Sequence, residues 1–214
     1  PPAVNSLPRV GGWTSPSLER IVGLKPDLIV ITAAQSPLFG YQLQQLGIRT
    51  LVVPTQTVQD AFTAMELIGK AVGKEHEAQL LATRTKAVLD VVRDRTKNLK
   101  RPSVLIAVDR FPGSLRDLYV ATQGSFLAEL VELAGGRAVG APAKAGYIKV
   151  SKETLLQLNA DIVLELKMGA QPMAVAQARA DWNELPELNA VRGGKIFELQ
   201  QDFLVHCSQR IAES

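Results

Sequence analysis

One stretch of this sequence occurs twice. Residues 17–30 (SLERIVGLKPDLIV) and 151–164 (SKETLLQLNADIVL) lie 134 positions apart and share Ser, Glu, Leu and Asp at matching places. The apolar pairs Ile21/Leu155, Val22/Leu156, Leu28/Ile162, Ile29/Val163 and Val30/Leu164 also match. Each copy reads as a short helix, a tight turn and a buried strand. A unit of this kind cannot bury its apolar face alone, so two copies far apart predict a two-lobed, pseudo-duplicated chain. Each lobe then carries one acid, Glu19 or Glu153, at the start of a short helix.

Strand-like and helix-like blocks alternate around the repeat. Residues 28–32, 49–53, 103–108, 161–166 and 195–199 are short apolar runs rich in β-branched residues, which predict strands. Residues 38–46, 57–72 and 126–134 have helical spacing and end at Gly47, Gly73 and Gly135. This alternation predicts α/β architecture with mainly parallel sheets. Residues 74–98 break the rhythm, with no Gly or Pro and one apolar stripe. A helix of that span would be about 37 Å long. It is either a long surface helix of a single domain or a rigid connector between lobes. The connector reading divides the chain into an N-terminal lobe (1–73), a connecting helix (74–98) and a C-terminal lobe (99–214).

Several kinds of function find no support. A net charge of +3 with scattered Lys and Arg gives no electrostatic stripe for nucleic acid. No run of 18 apolar residues predicts a membrane-spanning helix. There is no Gly-x-Ser-x-Gly turn, phosphate loop or dinucleotide fingerprint, so no catalytic residue is assigned. A structural or catalytic metal site is also disfavoured. The chain has two His and one Cys; His76 falls on the long helix, and the adjacent His206 and Cys207 would point to opposite faces of a strand. Cys207 reads as a small buried hydrophobe.

Aromatic residues make up only 5% of the chain, so rings placed in loops stand out. Trp13 is six residues before Glu19, and Tyr147 is six before Glu153. Each ring either stacks on a flat ligand held between lobes or staples its own loop to the core. Trp182 reads as a residue packing a loop against the sheet.

Residues 11–30, opening Gly-Gly-Trp-Thr-Ser-Pro-Ser-Leu-Glu-Arg, resemble a signature of the periplasmic solute-binding proteins of ABC importers for vitamin B12 and ferric siderophores. Residues 124–136, Gly-Ser-Phe-Leu-Ala-Glu-Leu-Val-Glu-Leu-Ala-Gly-Gly, resemble the family's C-lobe motif, and residues 150–163 resemble its second docking helix. The resemblance runs through nearly the whole chain. It implies two Rossmann-like lobes with mainly parallel sheets, joined by one long α-helix, with the N-terminal part of the first lobe absent from this sequence.

The same resemblance implies roles. Trp13, Tyr119 and Tyr147 align with aromatic ligand contacts, and Asp202 and His206 with a polar stretch lining the C-lobe side. Glu19 and Glu153 match the acids that dock onto arginines of the membrane permease dimer; the alternative is a helix-start acid favoured by the macrodipole. Thr32 stands where vitamin B12 receptors can carry a Trp, while Arg110 and Arg116 suit an anionic ferric chelate. The expected protein is a monomeric, extracytoplasmic receptor without resident cofactor. It captures cobalamin or a ferric siderophore and performs no chemistry. The alternatives are a haem receptor with a Tyr as iron ligand, or a small α/β enzyme using the cleft.

Overall fold

The structure, a computed structural model, describes residues 4–111, 113–140, 146–166 and 175–213, without the side chains of residues 175–178 and 202. Among the described residues it is a mixed α/β fold with two separate sheets.

The first copy of the repeat builds α1 (Leu18–Gly23) and β1 (Ile29–Thr32). Ser17 caps α1, its hydroxyl accepting from Arg20 N at 3.3 Å. The chain then turns through Lys25 at φ 47°. A turn with π-type hydrogen bonding, Ser36–Gly40, precedes the short helix α2 (Tyr41–Gln45), so the single helix expected over 38–46 is divided at a glycine. β1 pairs in parallel with β2 (Thr50–Val53), from Ile29 opposite Thr50 to Thr32 opposite Val53. Ile21, Ile31, Phe39 and Leu43 form the small core of this unit.

Two long helices come next. α3 (Val58–Ala71) opens with a reciprocal cap: Thr57 Oγ1 accepts from Asp60 N, and Asp60 Oδ2 accepts from Thr57 N. α4 (Glu75–Thr96) has 22 residues and is about 33 Å long. The two helices approach closely at Gly69, where a Cβ would lie 2.4 Å from that of Ala78.

The larger sheet runs in the order β6 (Tyr147–Lys149), β4 (Tyr119–Ala121), β3 (Ser103–Asp109), β7 (Ile162–Leu166), β8 (Ile196–Leu199), with β5 (Arg137–Ala138) also on β3. β5 and β7 pair in parallel with β3 and β8 in parallel with β7, while β4 pairs antiparallel with both β3 and β6. Each antiparallel strand is three residues long, too short to show a period in sequence. Helices α5 (Phe126–Leu133), α6 (Lys152–Leu158), α7 (Val175–Trp182) and α8 (Asn189–Arg192) complete this part. The second repeat builds α6 and β7 with the same devices. Ser151 Oγ accepts from Thr154 N, and Asn159, 134 positions after Lys25, has φ 40°.

One face of this sheet buries Leu105, Val120, Val163, Trp182 and Leu188. The other face buries Val104 and Ile106 against Phe126 and Val131 of α5, Ala61 and Met65 of α3, and Leu89 of α4. The division at residue 73 therefore does not match the packing. α3 shares a core with the larger sheet, and three hydrogen bonds fasten its start there. Phe126 N donates to Gln56 O (2.6 Å), Val58 N to Glu129 Oε2 (2.6 Å) and Cys207 Sγ to Thr57 O (3.2 Å). The smaller unit ends with β2, and both α3 and α4 pack onto the larger sheet and its helix α5.

Candidate ligand-binding site

The antiparallel strands β4 and β6 bring two of the expected aromatic residues together. Tyr119 lies opposite Lys149 and Tyr147 opposite Ala121, so the alternation of strand side chains puts both rings on one face of the sheet. Each tyrosine is 40% exposed. Lys149 pairs with Asp117, whose carboxylate, by hydrogen bond and then by charge, holds the ammonium above its usual pKa. Burial, and next the Cys207 thiol, push the Tyr147 phenol up to about 12, so it is protonated at neutral pH.

Cys207 also links this face to the chain after β8. Its thiol is pushed up to about 12, by burial first and then by Asp60 and Glu129, so it is neither a nucleophile nor a thiolate ligand at neutral pH. His206 is exposed beside it. The 3₁₀ turn Asp202–Val205 precedes it, and the Asp202 side chain lies outside the described residues.

Trp13 is 55% exposed in a loop closed by the bridge between Gly11 and Pro16. Gln35 ties that loop to the end of β1: its Nε2 donates to Trp13 O (2.9 Å), and its Oε1 accepts from Thr32 N (3.1 Å). Trp13 thus sits on the smaller unit, and Tyr119 and Tyr147 on the larger.

The two arginines behave differently. Arg116 is exposed. Arg110 is a correction to the expected ligand contacts, because its side chain is only 2% exposed and both neighbours are acids. Its Nε donates to Glu165 Oε1 (2.8 Å) and its Nη1 to Asp181 Oδ2 (2.6 Å). Burial pulls the Arg110 pKa down, but bonds to Asp181 and Glu165 outweigh it and hold the guanidinium above its usual value. A buried cation shared by two carboxylates is not a counter-charge for a ligand. Sequence reasoning could not see this, since Glu165 and Asp181 lie 55 and 71 positions away. It also passed over Phe111, which is 65% exposed next to Arg110. The available signal was a large ring between the charged end of a strand and a Pro-Gly turn.

Glu19 and Glu153 are both exposed, each in the first turn of its capped helix. The Ser151 hydroxyl, by hydrogen bond, is the main cause holding the Glu153 carboxyl below the usual carboxylate range. Among the described residues no three His, Cys, Asp or Glu side chains gather to hold a metal ion, and no helix is long and apolar enough to cross a membrane. A groove of about 720 Å³ lies between the start of α3, α4, α5 and β5, lined by Val58, Arg93, Gln123, Glu129, Glu132 and Arg137 among others. None of the expected ligand contacts lines it. Glu129 and Glu132 there already accept from Val58 N and Ala138 N.

Residues 1–203 match the family described as periplasmic binding protein. The chain belongs to that family. An ABC transporter substrate-binding lipoprotein of Bacillus subtilis, YvrC, is 25% identical over 100% of this chain and 67% of its own length. The high-affinity heme uptake protein IsdE of Staphylococcus aureus is 24% identical over 94% of this chain and 69% of its own. Among solved structures, the heme complex of S. aureus IsdE aligns with a TM-score of 0.83 at 21% identity, covering 100% of this chain and 83% of that one. The vitamin B12 binding protein BtuF of Vibrio cholerae aligns at 0.80 with 23% identity, covering 100% and 80%. At these identities the likeness establishes the fold. Members of the family are substrate-binding components of transporters rather than enzymes, and they work outside the cytoplasm.

Proposed function

We propose that this chain captures a metal chelate, cobalamin or a ferric siderophore, between its two units and delivers it to the permease of an ABC importer. One observation carries the reading. Tyr119 and Tyr147 share an exposed face on the larger unit, and Trp13 occupies the position equivalent to Tyr147 in the repeat on the smaller one. Large rings from both units suit a bulky, flat ligand. His206 and the segment from Asp202 would line the polar side, and the exposed Arg116 would offer a cation to an anionic chelate. The names of similar proteins supply the ligand class: vitamin B12 for BtuF and an Fe3+-hydroxamate transport system for another aligned structure. Haem is the second ligand, favoured by the names of IsdE and several aligned structures. Ligation of its iron by Tyr147 would first have to remove a proton that burial holds tightly.

Glu19 and Glu153 would be the docking acids. Each is exposed at the same point of its own repeat, so a pseudo-symmetric receptor offers a two-fold symmetric permease one carboxylate per unit.

Native mass and absorbance spectra of the purified protein, followed by titration with cyanocobalamin, hemin and a ferric trihydroxamate, test the ligand. At least one should bind, and Trp13→Ala and Tyr147→Ala should each weaken it by about 1–3 kcal/mol with little loss of stability. Variants that bind as the wild type and only melt earlier would make the rings structural staples.

A further inference from the structure

The face of β4 and β6 that carries the two tyrosines also carries a cation. Tyr119 stands opposite Lys149 and Ala121 opposite Tyr147, so these four side chains are the corners of one patch. The two rings lie on one diagonal, Lys149 and Ala121 on the other. Ala121 is 4% exposed, so the part of the patch open to solvent consists of Tyr119, Lys149 and Tyr147. Directly opposed residues of an antiparallel pair have Cβ atoms about 5 Å apart, and residues two apart on one strand about 7 Å. Lys149 is opposite one ring and two residues from the other. A small molecule laid across both tyrosines therefore also meets the ammonium.

The partner of that ammonium is weakly committed. Lys149 pairs with Asp117, in the turn that leads into β4, and the two side chains are 57% and 44% exposed. An exposed pair of this kind contributes little to stability and is screened by salt. One end of it is nevertheless fixed. Asp117 has φ 54°, a left-handed conformation that aspartate tolerates better than most residues, and the next residue, Leu118, is fully buried. The carboxylate is thus anchored beside the patch, while the lysine stem has four rotatable carbons.

Arg110 shows the contrast. Its guanidinium is 2% exposed and bonded to two carboxylates that are buried with it, so a ligand acid cannot take their place. Lys149 has one paired acid among the described residues, and that acid can be left to water at little cost. An anionic group arriving on the patch exchanges one carboxylate for another, so the ammonium stays paired. The bound molecule and the rings beside it then exclude water from the new pair, which strengthens it. A neutral ligand has no such gain. It either leaves the Lys149–Asp117 pair in place or breaks it without a substitute.

We propose that Lys149 is a specificity-determining residue of the ligand face, that it takes an anionic oxygen of the chelate in place of Asp117, and that the chain thereby selects acidic chelates over neutral ones. This rests on the receptor reading above and narrows it from metal chelates in general to those that carry negative charge on the ligand.

The test uses the full chain as wild type, Lys149→Met, Lys149→Arg, Asp117→Asn, Tyr147→Ala and the double variant Lys149→Met/Asp117→Asn. Each is titrated with two acidic probes, a ferric tris-catecholate and hemin, and two probes neutral overall, a ferric trihydroxamate and cyanocobalamin. Melting temperatures are recorded alongside. The wild type should bind an acidic probe at least about tenfold more tightly than either neutral one. Lys149→Met keeps most of the stem and should weaken that acidic probe by about 5–30-fold, with the melting temperature nearly unchanged. Lys149→Arg should retain most of the affinity. Asp117→Asn should strengthen the acidic probe by about 2–5-fold, an effect that shrinks at high salt and vanishes in the Lys149→Met background, because Asp117 acts through the lysine. An undiminished effect in the double variant overturns the exchange. Should Lys149→Met fail to fold, Asp117→Asn still decides: unchanged or weaker acidic-probe binding overturns the exchange. A wild type that prefers a neutral probe overturns the selectivity. Normal acidic-probe binding by Lys149→Met, with Tyr147→Ala weakened, overturns the role of Lys149 and leaves the receptor reading intact. No binding of any probe by the wild type removes the receptor reading and this proposal together.

Discussion

β1 and β7 occupy equivalent places in the repeat, yet among the described residues β1 has one strand neighbour and β7 has two. Both are preceded by a Ser-capped helix and a residue held at positive φ. Val30 of β1 is 42% exposed, as is Val52 on β2, whereas Val163 and Leu166 of β7 are buried. The same local design yields a half-open strand in one unit and a central strand in the other. Local hydrogen bonding is written in each copy, but burial comes from neighbours the copy does not contain. The smaller unit is accordingly the weaker partner: a two-stranded sheet is marginal by itself, and its core holds four buried side chains among the described residues.

The sharpest way to break this comparison is to truncate the matched core residues, Ile21 of α1 and Leu155 of α6. Leu155 is 1% exposed within the large core, and Ile21 is 8% exposed within the small one. Leu155→Ala should cost about 3–5 kcal/mol, because little can relax into the cavity. Ile21→Ala should cost about 2 kcal/mol. Urea unfolding monitored by near-ultraviolet circular dichroism measures both. Equal costs would show that the surroundings of the two copies do not differ energetically.

Charge reversal at the matched acids sharpens the comparison on the functional side. Under the docking proposal, Glu19→Lys and Glu153→Lys should each slow association with the permease about 3–10-fold at low salt, with ligand affinity and fold unchanged. The difference should shrink as ionic strength rises. Wild-type uptake by the double variant would remove the docking role and leave the acids as helix-start residues.

The smallest effect separates the two left-handed turns. Lys25 and Asn159 share nearly the same φ, but Asn159 Oδ1 also accepts from Asn189 N at 2.9 Å, which joins α6 to α8. Lys25→Gly should stabilise by up to about 1 kcal/mol by relieving the backbone. Asn159→Gly should instead destabilise by about 0.5–1.5 kcal/mol through the lost hydrogen bond. Thermal melts of the two variants should move in opposite directions; shifts of the same sign would make the side-chain bond irrelevant.

Much of the fold was legible in the sequence because it depends on near neighbours. The glycine-ended helices and the β-branched strands rest on contacts within a few positions. The repeat itself revealed the helix–turn–strand units and the equivalence of Trp13 with Tyr147 and of Glu19 with Glu153. Part of the candidate site was therefore readable as well. The pairing that sets Tyr119 beside Tyr147 was not, because β4 and β6 are three residues each and meet across 28 positions.

By itself the sequence determined that this chain is an α/β duplication with a long helical middle and aromatic residues at matching points of its two copies. Only the tertiary structure decided that α3 belongs to the core of the larger sheet, that Arg110 is committed to Glu165 and Asp181, and that Phe111 is left exposed above them. The reason is physical. A cap or a turn is satisfied by atoms a few residues away. The fate of a charge or a ring depends on which distant side chains fold against it, and burial turns the same arginine from a ligand contact into a strut.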